Sequence, residues 1–360
     1  MKNLIRLKQS RTARPVWLSV WAAVVLAALF GAAGIVAGQG NAAPAVKTSA
    51  AHRMDRFKHP KLKHGELTIV GTEASDKIAL RLQSGQPGVL EVDVGDDGSA
   101  DFSFARDRVA MIAVDAAAGD DLVRIDESNG AFTDSIPTTI AGGDGNDTIA
   151  GGKGNETLLG GNGNDSIDGN GGNDLALLGA GDDTFVWDPG DGSDKIEGQD
   201  GTDTMRFNGA NVSEQVDLSA NGSRLKLFRT QANITMDTAG VERVDFNALG
   251  GADLITINDL SGTDVRSVNV DLAGTLGGAT GDGQPDRVVL NATNNEDTIK
   301  VNGDATEVTA KGVAPLVAIF HPEAANDRLE INTLAGTDTV DSSGLAAGAI
   351  QLFEDGVLVP

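Results

Sequence analysis

The stretch Gly142-Gly-Asp-Gly-Asn-Asp-Thr-Ile-Ala150 runs directly into Gly151-Gly-Lys-Gly-Asn-Glu-Thr-Leu-Leu159 and Gly160-Gly-Asn-Gly-Asn-Asp-Ser-Ile-Asp168. Gly169-Asn-Gly-Gly-Asn-Asp-Leu-Ala-Leu177 and Leu178-Gly-Ala-Gly-Asp-Asp-Thr-Phe-Val186 follow. Two extra residues, Trp187 and Asp188, break the phase, which resumes in Pro189-Gly-Asp-Gly-Ser-Asp-Lys-Ile-Glu197 and Gly198-Gln-Asp-Gly-Thr-Asp-Thr-Met-Arg206. The fourth position is Gly in all seven nonapeptides, and the sixth is Asp in six and Glu156 in one. The eighth is apolar throughout: Ile149, Leu158, Ile167, Ala176, Phe185, Ile196 and Met205. Composition alone would permit a flexible Gly/Asn/Asp linker. A linker has no reason to place an apolar residue at every ninth position, so the pattern reads as a structural repeat.

The pattern resembles the hemolysin-type, repeats-in-toxin nonapeptide G-G-x-G-x-D-x-U-x. The resemblance covers residues 142–206 and implies a right-handed parallel β-roll, a β-solenoid in which two nonapeptides make one coil. Six residues would form each turn and three a short strand, with the eighth side chain inward and Ca2+ between turns stacked on one side. The residue types suit that chemistry. Glycine allows positive φ in a tight turn and lets carbonyl oxygens converge on an ion. Calcium takes six to eight oxygen ligands and accepts loose geometry. The ligands implied are Asp147, Glu156, Asp165, Asp174, Asp183, Asp194 and Asp203 at position six. Asp144, Asn162, Asp191 and Asp200 at position three join them, with Gly142 and Gly160 at position one and Asn146, Asn164 and Asp182 at position five. Ordering so glycine-rich a chain costs about 1–2 kcal/mol per residue in backbone entropy. Small inward anchors do not offset that alone, so calcium binding is expected to be coupled to folding.

In such a roll, repeats one, three and five share a side, as do two and four. The best sites are expected between Asp147, Asp165 and Asp183. The pair Glu156 and Asp174 is expected to be weaker, with its longer carboxylate and with Lys153 nearby. Stacking of repeats four on six and five on seven would have to cross the Trp187-Asp188 insertion. Positions seven and nine are mostly polar in odd repeats but include Leu159, Leu175 and Leu177 in even ones. Such an apolar outer row suggests a face covered by another part of the chain or by a partner.

Outside the repeats, short β-branched runs bounded by Gly, Asn and Asp indicate strands. Examples are Leu67-Thr-Ile-Val70, Lys77-Ile-Ala-Leu-Arg-Leu82, Leu254-Ile-Thr-Ile257 and Arg287-Val-Val-Leu290. A looser repetition is visible: Gly119-Asp-Asp-Leu-Val-Arg-Ile125 resembles Gly251-Ala-Asp-Leu-Ile-Thr-Ile257, and Asn295-Glu-Asp-Thr-Ile-Lys-Val301 resembles Ala335-Gly-Thr-Asp-Thr-Val340. The fold class is all-β, with flanking segments 65–141 and 207–360 that are solenoid-like or sandwich-like. The loops Asp93–Asp101 and Gly281–Asp286 have EF-hand-like acidic spacing but lack ligands, and read as acidic β-turns.

The 360 residues carry 28 basic and 52 acidic side chains, a net charge of −24. Eleven of the basic and one of the acidic residues fall in 1–64, leaving a net charge of −34 beyond. A body this acidic repels nucleic acid and attracts cations. Cysteine is absent, which excludes disulfides and thiolate metal sites. Residues 1–43 read as a signal peptide or an uncleaved anchor: a basic start, an apolar stretch from Val16 to Val36, then small residues. Either form exports the body, and the membrane is reached only through this segment where it stays uncleaved. Residues 44–64 read as a basic, His-containing linker. Most relatives of the repeat family leave the cell by a route directed from the C-terminus, so an N-terminal signal departs from that pattern. No nucleophile elbow, zinc-protease motif, P-loop or dinucleotide fingerprint occurs. His321, the single histidine after residue 64, shows no partner in its sequence context. The expectation is a secreted calcium-binding protein with a structural, adhesive or binding role and a cell-surface or matrix partner, not an enzyme. The alternative is a polysaccharide-active enzyme on a β-solenoid with structural calcium.

Overall fold

A computed structural model describes residues 57–360. The N-terminal segment 1–43 and the linker up to residue 56 lie outside the described residues. The chain winds between two large sheets of 15 and 14 strands. Odd nonapeptides send Thr148–Ala150, Ser166–Asp168, Thr184–Trp187 and Thr204–Asn208 to the smaller sheet. Even nonapeptides send Thr157–Asn162, Leu175–Ala180 and Lys195–Asp200 to the larger. Within each sheet these strands pair in parallel and in register. This is the alternation expected of a parallel β-roll.

The core follows from the eighth position. Ile149, Ile167, Phe185 and Met205 are register partners in one sheet, as are Leu158, Ala176 and Ile196 in the other, and all are buried. Successive side chains of a strand alternate between its faces, so a three-residue strand offers one inward anchor. Its two polar neighbours face out.

The coil also absorbs the two-residue insertion. Trp187 is fully buried, its Nε1–H donates to the Gly192 carbonyl at 2.9 Å, and its ring stacks on Phe207 at 4.0 Å. Phe207 in turn faces Phe246 at 5.8 Å. The residue separation between stacked turns rises from 18 to 20 here without loss of register. Repeats four on six and five on seven therefore do stack.

The flanks are solenoid-like, since they continue the same two sheets. Thr138–Asp144 crosses the boundary at 141/142 and Thr204–Asn208 that at 206/207. Antiparallel hairpins are let into the coils. One of them, Gln215–Asn221, Arg224–Arg229 and Ile234–Ala239, lengthens its coil to 39 residues. The linker assignment for 44–64 fails in its described part. Lys61–Lys63 pairs antiparallel with Glu66–Val70 across a turn at His64 and Gly65, and Phe57 is buried. The Asp93–Asp101 loop is a hairpin turn, in which Asp93 takes the Gly98 N–H and the Arg81 guanidinium. Leu159 and Leu177 lie side by side, half-buried, and the principal neighbours of their strands are the strands flanking them. The covering segment expected for that face is not supplied by those contacts. Among the described residues no helix is long and apolar enough to cross a membrane.

Trp187→Ala is expected to cost about 3–5 kcal/mol, because the ring fills the bulge made by the insertion. Denaturant unfolding in calcium measures this; a cost below about 1 kcal/mol would mean that the insertion packs without the indole.

Candidate metal centre

The turns are held together by a ladder of sixth-position carboxylates. Entering the smaller sheet, the Asp147 N–H donates to Asp165 Oδ1 at 2.8 Å, Asp165 N–H to Asp183 Oδ1 at 2.7 Å, and Asp183 N–H to Asp203 Oδ1 at 2.9 Å. Entering the larger sheet, Glu156 N–H donates to Asp174 Oδ1 at 2.7 Å and Asp174 N–H to Asp194 Oδ1 at 2.8 Å. All seven side chains are buried, none more than 3 % exposed.

One oxygen of each is thus used, and the other is not. Oδ2 of Asp147, Asp165, Asp174, Asp183, Asp194 and Asp203, and Oε1 of Glu156, are buried without a hydrogen-bond partner among the described residues. Position-one glycines make room for these carboxylates. A Cβ on Gly142 would collide with Asp147 Oδ2, and one on Gly160 with Asp165 Oδ2 and the Leu178 carbonyl. Position-four glycines of the odd repeats take the positive φ of the turn, including +129° at Gly145, +126° at Gly163 and +135° at Gly181. They bring stacked backbones so close that a Cβ on Gly163 would strike the Gly145 carbonyl. The turn is therefore a cradle of carbonyls and half-satisfied carboxylates.

Burial drives these acids toward the neutral form. Desolvation pushes Asp165 up to about 6, Asp194 and Asp203 to about 7, and Asp174 to about 9, with stacked carboxylates adding to the shift. Two charges about 4.8 Å apart, the spacing of adjacent strands, repel by roughly 3 kcal/mol at an effective dielectric of about 20. A divalent cation reverses the sign of that interaction and supplies the missing partner. The residues fit calcium, a hard ion that takes carboxylate and carbonyl oxygens. Among the described residues no three acidic or histidine side chains converge into a cage, so an ion here would draw much of its coordination from backbone carbonyls.

The other expected ligands are placed differently. Asn146, Asn164 and Asp182 form an outer ladder, Asn146 Oδ1 accepting the Asn164 N–H at 2.8 Å and Asn164 Oδ1 that of Asp182 at 2.9 Å. Asp144 accepts from Asn162 Nδ2 at 2.7 Å at the exposed rim. Asp191 accepts the Asp188 N–H, and Asp200 is exposed. Lys153 is exposed, while its N–H donates to Glu127 Oε2 at 2.9 Å. Glu156 sends Oε2 back to the Gly152 N–H of its own turn at 2.8 Å.

The ladder also runs further than the repeats. Asp76 N–H donates to Asp121 Oδ1 and Asp121 N–H to Asp147 Oδ1, while Asp203 N–H reaches Glu242 Oε2. A second run links Glu214, Asp253, Asp286 and Asp327. The Gly281–Asp286 loop, read as a β-turn, is one of its rungs. The missed signal is an acid two residues before a buried apolar side chain, as in Asp121-Leu-Val123, Asp253-Leu-Ile255 and Asp286-Arg-Val288.

Two outcomes follow for the metal-free protein. These acids have folded-state values above the ordinary carboxylate range, so their contribution is full below about pH 4. It is lost as pH rises through the values near 6 to 9. In chelator the melting temperature is therefore expected to fall between pH 5 and pH 9, and saturating calcium to abolish most of the fall. A flat profile in chelator would contradict the buried ladder. Gly160→Ala is expected to cost about 1–3 kcal/mol and weaken calcium binding, while Gly88→Ala, where a Cβ meets open space, is expected to leave both unchanged. Calcium titration monitored by circular dichroism compares the two.

The family comparison agrees with this geometry. The RTX calcium-binding nonapeptide repeat, in four copies, matches residues 138–165, 151–185 and 190–211. The comparison with curated proteins returns no match. Among solved structures, the extracellular lipase LipA from Serratia marcescens aligns with 59 % of this chain and 42 % of its own, at 11 % identity and a TM-score of 0.17. The alignment thus spans less than half of the lipase, a likeness too slight to carry fold or function across. The stacked carboxylates, the glycine-hinged turns and the matched repeats together identify residues 138–211 as RTX calcium-binding nonapeptide repeats folded as a parallel β-roll.

Proposed function

We propose that the protein is an exported calcium-dependent structural or adhesive protein, whose roll orders only when Ca2+ fills the carboxylate ladder. The observation that carries this reading is the row of seven buried sixth-position carboxylates, six with one oxygen bonded to the stacked turn and Glu156 with one bonded to its own turn, and each with the other oxygen unpartnered among the described residues. A fold with that many buried charges in a body of net charge −34 needs a cation to be stable. An environment rich in free calcium suits it, and export through the N-terminal segment 1–43 places it there.

An enzymatic role has less support. The open groove beside the even turns is lined by Ile125, Glu127, Lys153, Asn170, Gly172 and Asp191, with no aromatic ring for stacking a sugar. His321, without an evident partner in sequence, does meet Asp271, Nδ1 lying 2.8 Å from Oδ1. That contact joins two neighbouring strand ends of the smaller sheet, and it serves there as a cross-strand tie.

Circular dichroism in calcium and in excess chelator tests the reading. The β signal is expected to collapse in chelator and return on adding calcium; an identical spectrum and melting point in both would overturn it. Asp165→Ala is expected to remove more bound calcium than Glu156→Ala, because Glu156 commits one oxygen to its own turn. Calorimetric titration of the two variants compares them, and equal losses would refute the ranking.

A further inference from the structure

Nine buried carboxylate oxygens have no hydrogen-bond partner among the described residues. Seven are the sixth-position oxygens of the nonapeptides. The other two are Oδ2 of Asp121 and Oδ2 of Asp253, which lie outside the matched residues 138–211. Both side chains are 3 % exposed. We propose that Asp121 and Asp253 each hold a further divalent cation, in turns that have lost the repeat's sequence but kept its geometry. The inference rests on the reading of the nonapeptide roll as a calcium site.

Apart from Ala116 at position one, where the repeat has glycine, the turn containing Asp121 follows its neighbour. Ala117 and Gly119 have φ of +80° and +117°, where Gly143 and Gly145 have +114° and +129°. The carbonyls of Ala117 and Gly119 press on Gly143 and Gly145, as those of Gly143 and Gly145 press on Gly161 and Gly163. Asp120 Oδ1 accepts the Asn146 N–H at 2.9 Å, taking the place that Asn146 holds against Asn164. Asp121 itself is a rung, accepting from Asp76 at 2.6 Å and donating to Asp147 at 2.8 Å.

Asp253 sits in the C-terminal run, far along the chain from the repeats. Leu249 and Gly251 carry the same paired positive φ, +66° and +123°. Asp253 Oδ1 accepts the Glu214 N–H at 2.7 Å, and its own N–H donates to Asp286 Oδ1 at 2.8 Å. The preceding rung shows what a satisfied carboxylate looks like here. Glu214 pairs with the buried Arg229 guanidinium through Oε1, and its Oε2 accepts the Ala210 N–H. Asp253 has no such cation. The charges that act most on it are the carboxylates of Asp286, Glu214 and Asp282, and the nearby Arg287 is engaged by Glu330 at 2.5 Å. An arginine completes one rung, and a bound ion would complete the next.

Calcium stoichiometry of the full chain tests this by equilibrium dialysis. Asp121→Asn and Asp253→Asn keep Oδ1 as an acceptor, so the ladder is preserved while the anionic oxygen is removed. Each is expected to bind one calcium ion fewer than the parent, as is Asp165→Asn in the roll. If Asp165→Asn loses an ion and the two flank variants do not, this inference fails while the roll reading stands. If the parent binds no calcium, both fail. A crystal of the unsubstituted chain grown in calcium decides the matter even where a variant does not fold. An ion is expected at about 2.3–2.6 Å from Asp121 Oδ2 and from Asp253 Oδ2; water or a protein donor at either position removes that assignment.

Discussion

The structure depends on a carboxylate that must do two things at once. One oxygen of each sixth-position aspartate takes the backbone N–H of the stacked turn, and this fixes the spacing of the coils. The other is buried with nothing to meet it. The first contact makes the turns stack, and the second leaves a buried oxygen that a cation would complete. Folding and metal binding therefore share the same atoms. Removing the ion does not vacate a peripheral site; it leaves like charges facing each other through the whole roll.

The hydrophobic contribution is modest by comparison. The three-residue strands Thr148–Ala150 and Ser166–Asp168 bring one inward side chain each, and one eighth-position anchor is only Ala176. The core becomes richer past the insertion, where Trp187, Phe207 and Phe246 stack. Further on, Arg229 and Arg224 bring positive charge to Glu214 and Glu197. On the strand Arg224–Arg229 the chain itself thus supplies the positive charge that two of its acids meet.

Much of this was legible in the sequence because the nonapeptide states its own geometry. The fourth-position glycine, the sixth-position acid and the eighth-position anchor each have one structural duty, and the structure shows all three. The assignment of strands to alternate sheets followed from the resemblance to the repeats-in-toxin nonapeptide, in which two repeats make one coil. The flanks were harder. In Ala116–Arg124 and Ala248–Thr256 the glycines at positions one and two are replaced by Ala and Leu, so composition no longer marks the turn. The backbone nevertheless adopts positive φ at Ala117 and Leu249, held there by the stacked neighbours. A local motif cannot report a conformation imposed by the coils above and below. The partner of His321 was invisible for the same reason, since Asp271 lies 50 residues away in sequence. So was the pairing of Lys61–Lys63, which a basic composition disguised as linker.

The ladder also has a direction. In the inner, sixth-position row every rung is an N–H of an earlier coil reaching a side chain of a later one, Asp76 to Asp121, Asp121 to Asp147, and so on to Glu242, while the outer Asn146–Asn164–Asp182 row runs the other way. A coil at the N-terminal end is therefore always waiting for the one behind it. When the chain emerges in order from a ribosome or a pore, the leading edge is never closed, and order propagates as a front that trails the newest residues by about one winding.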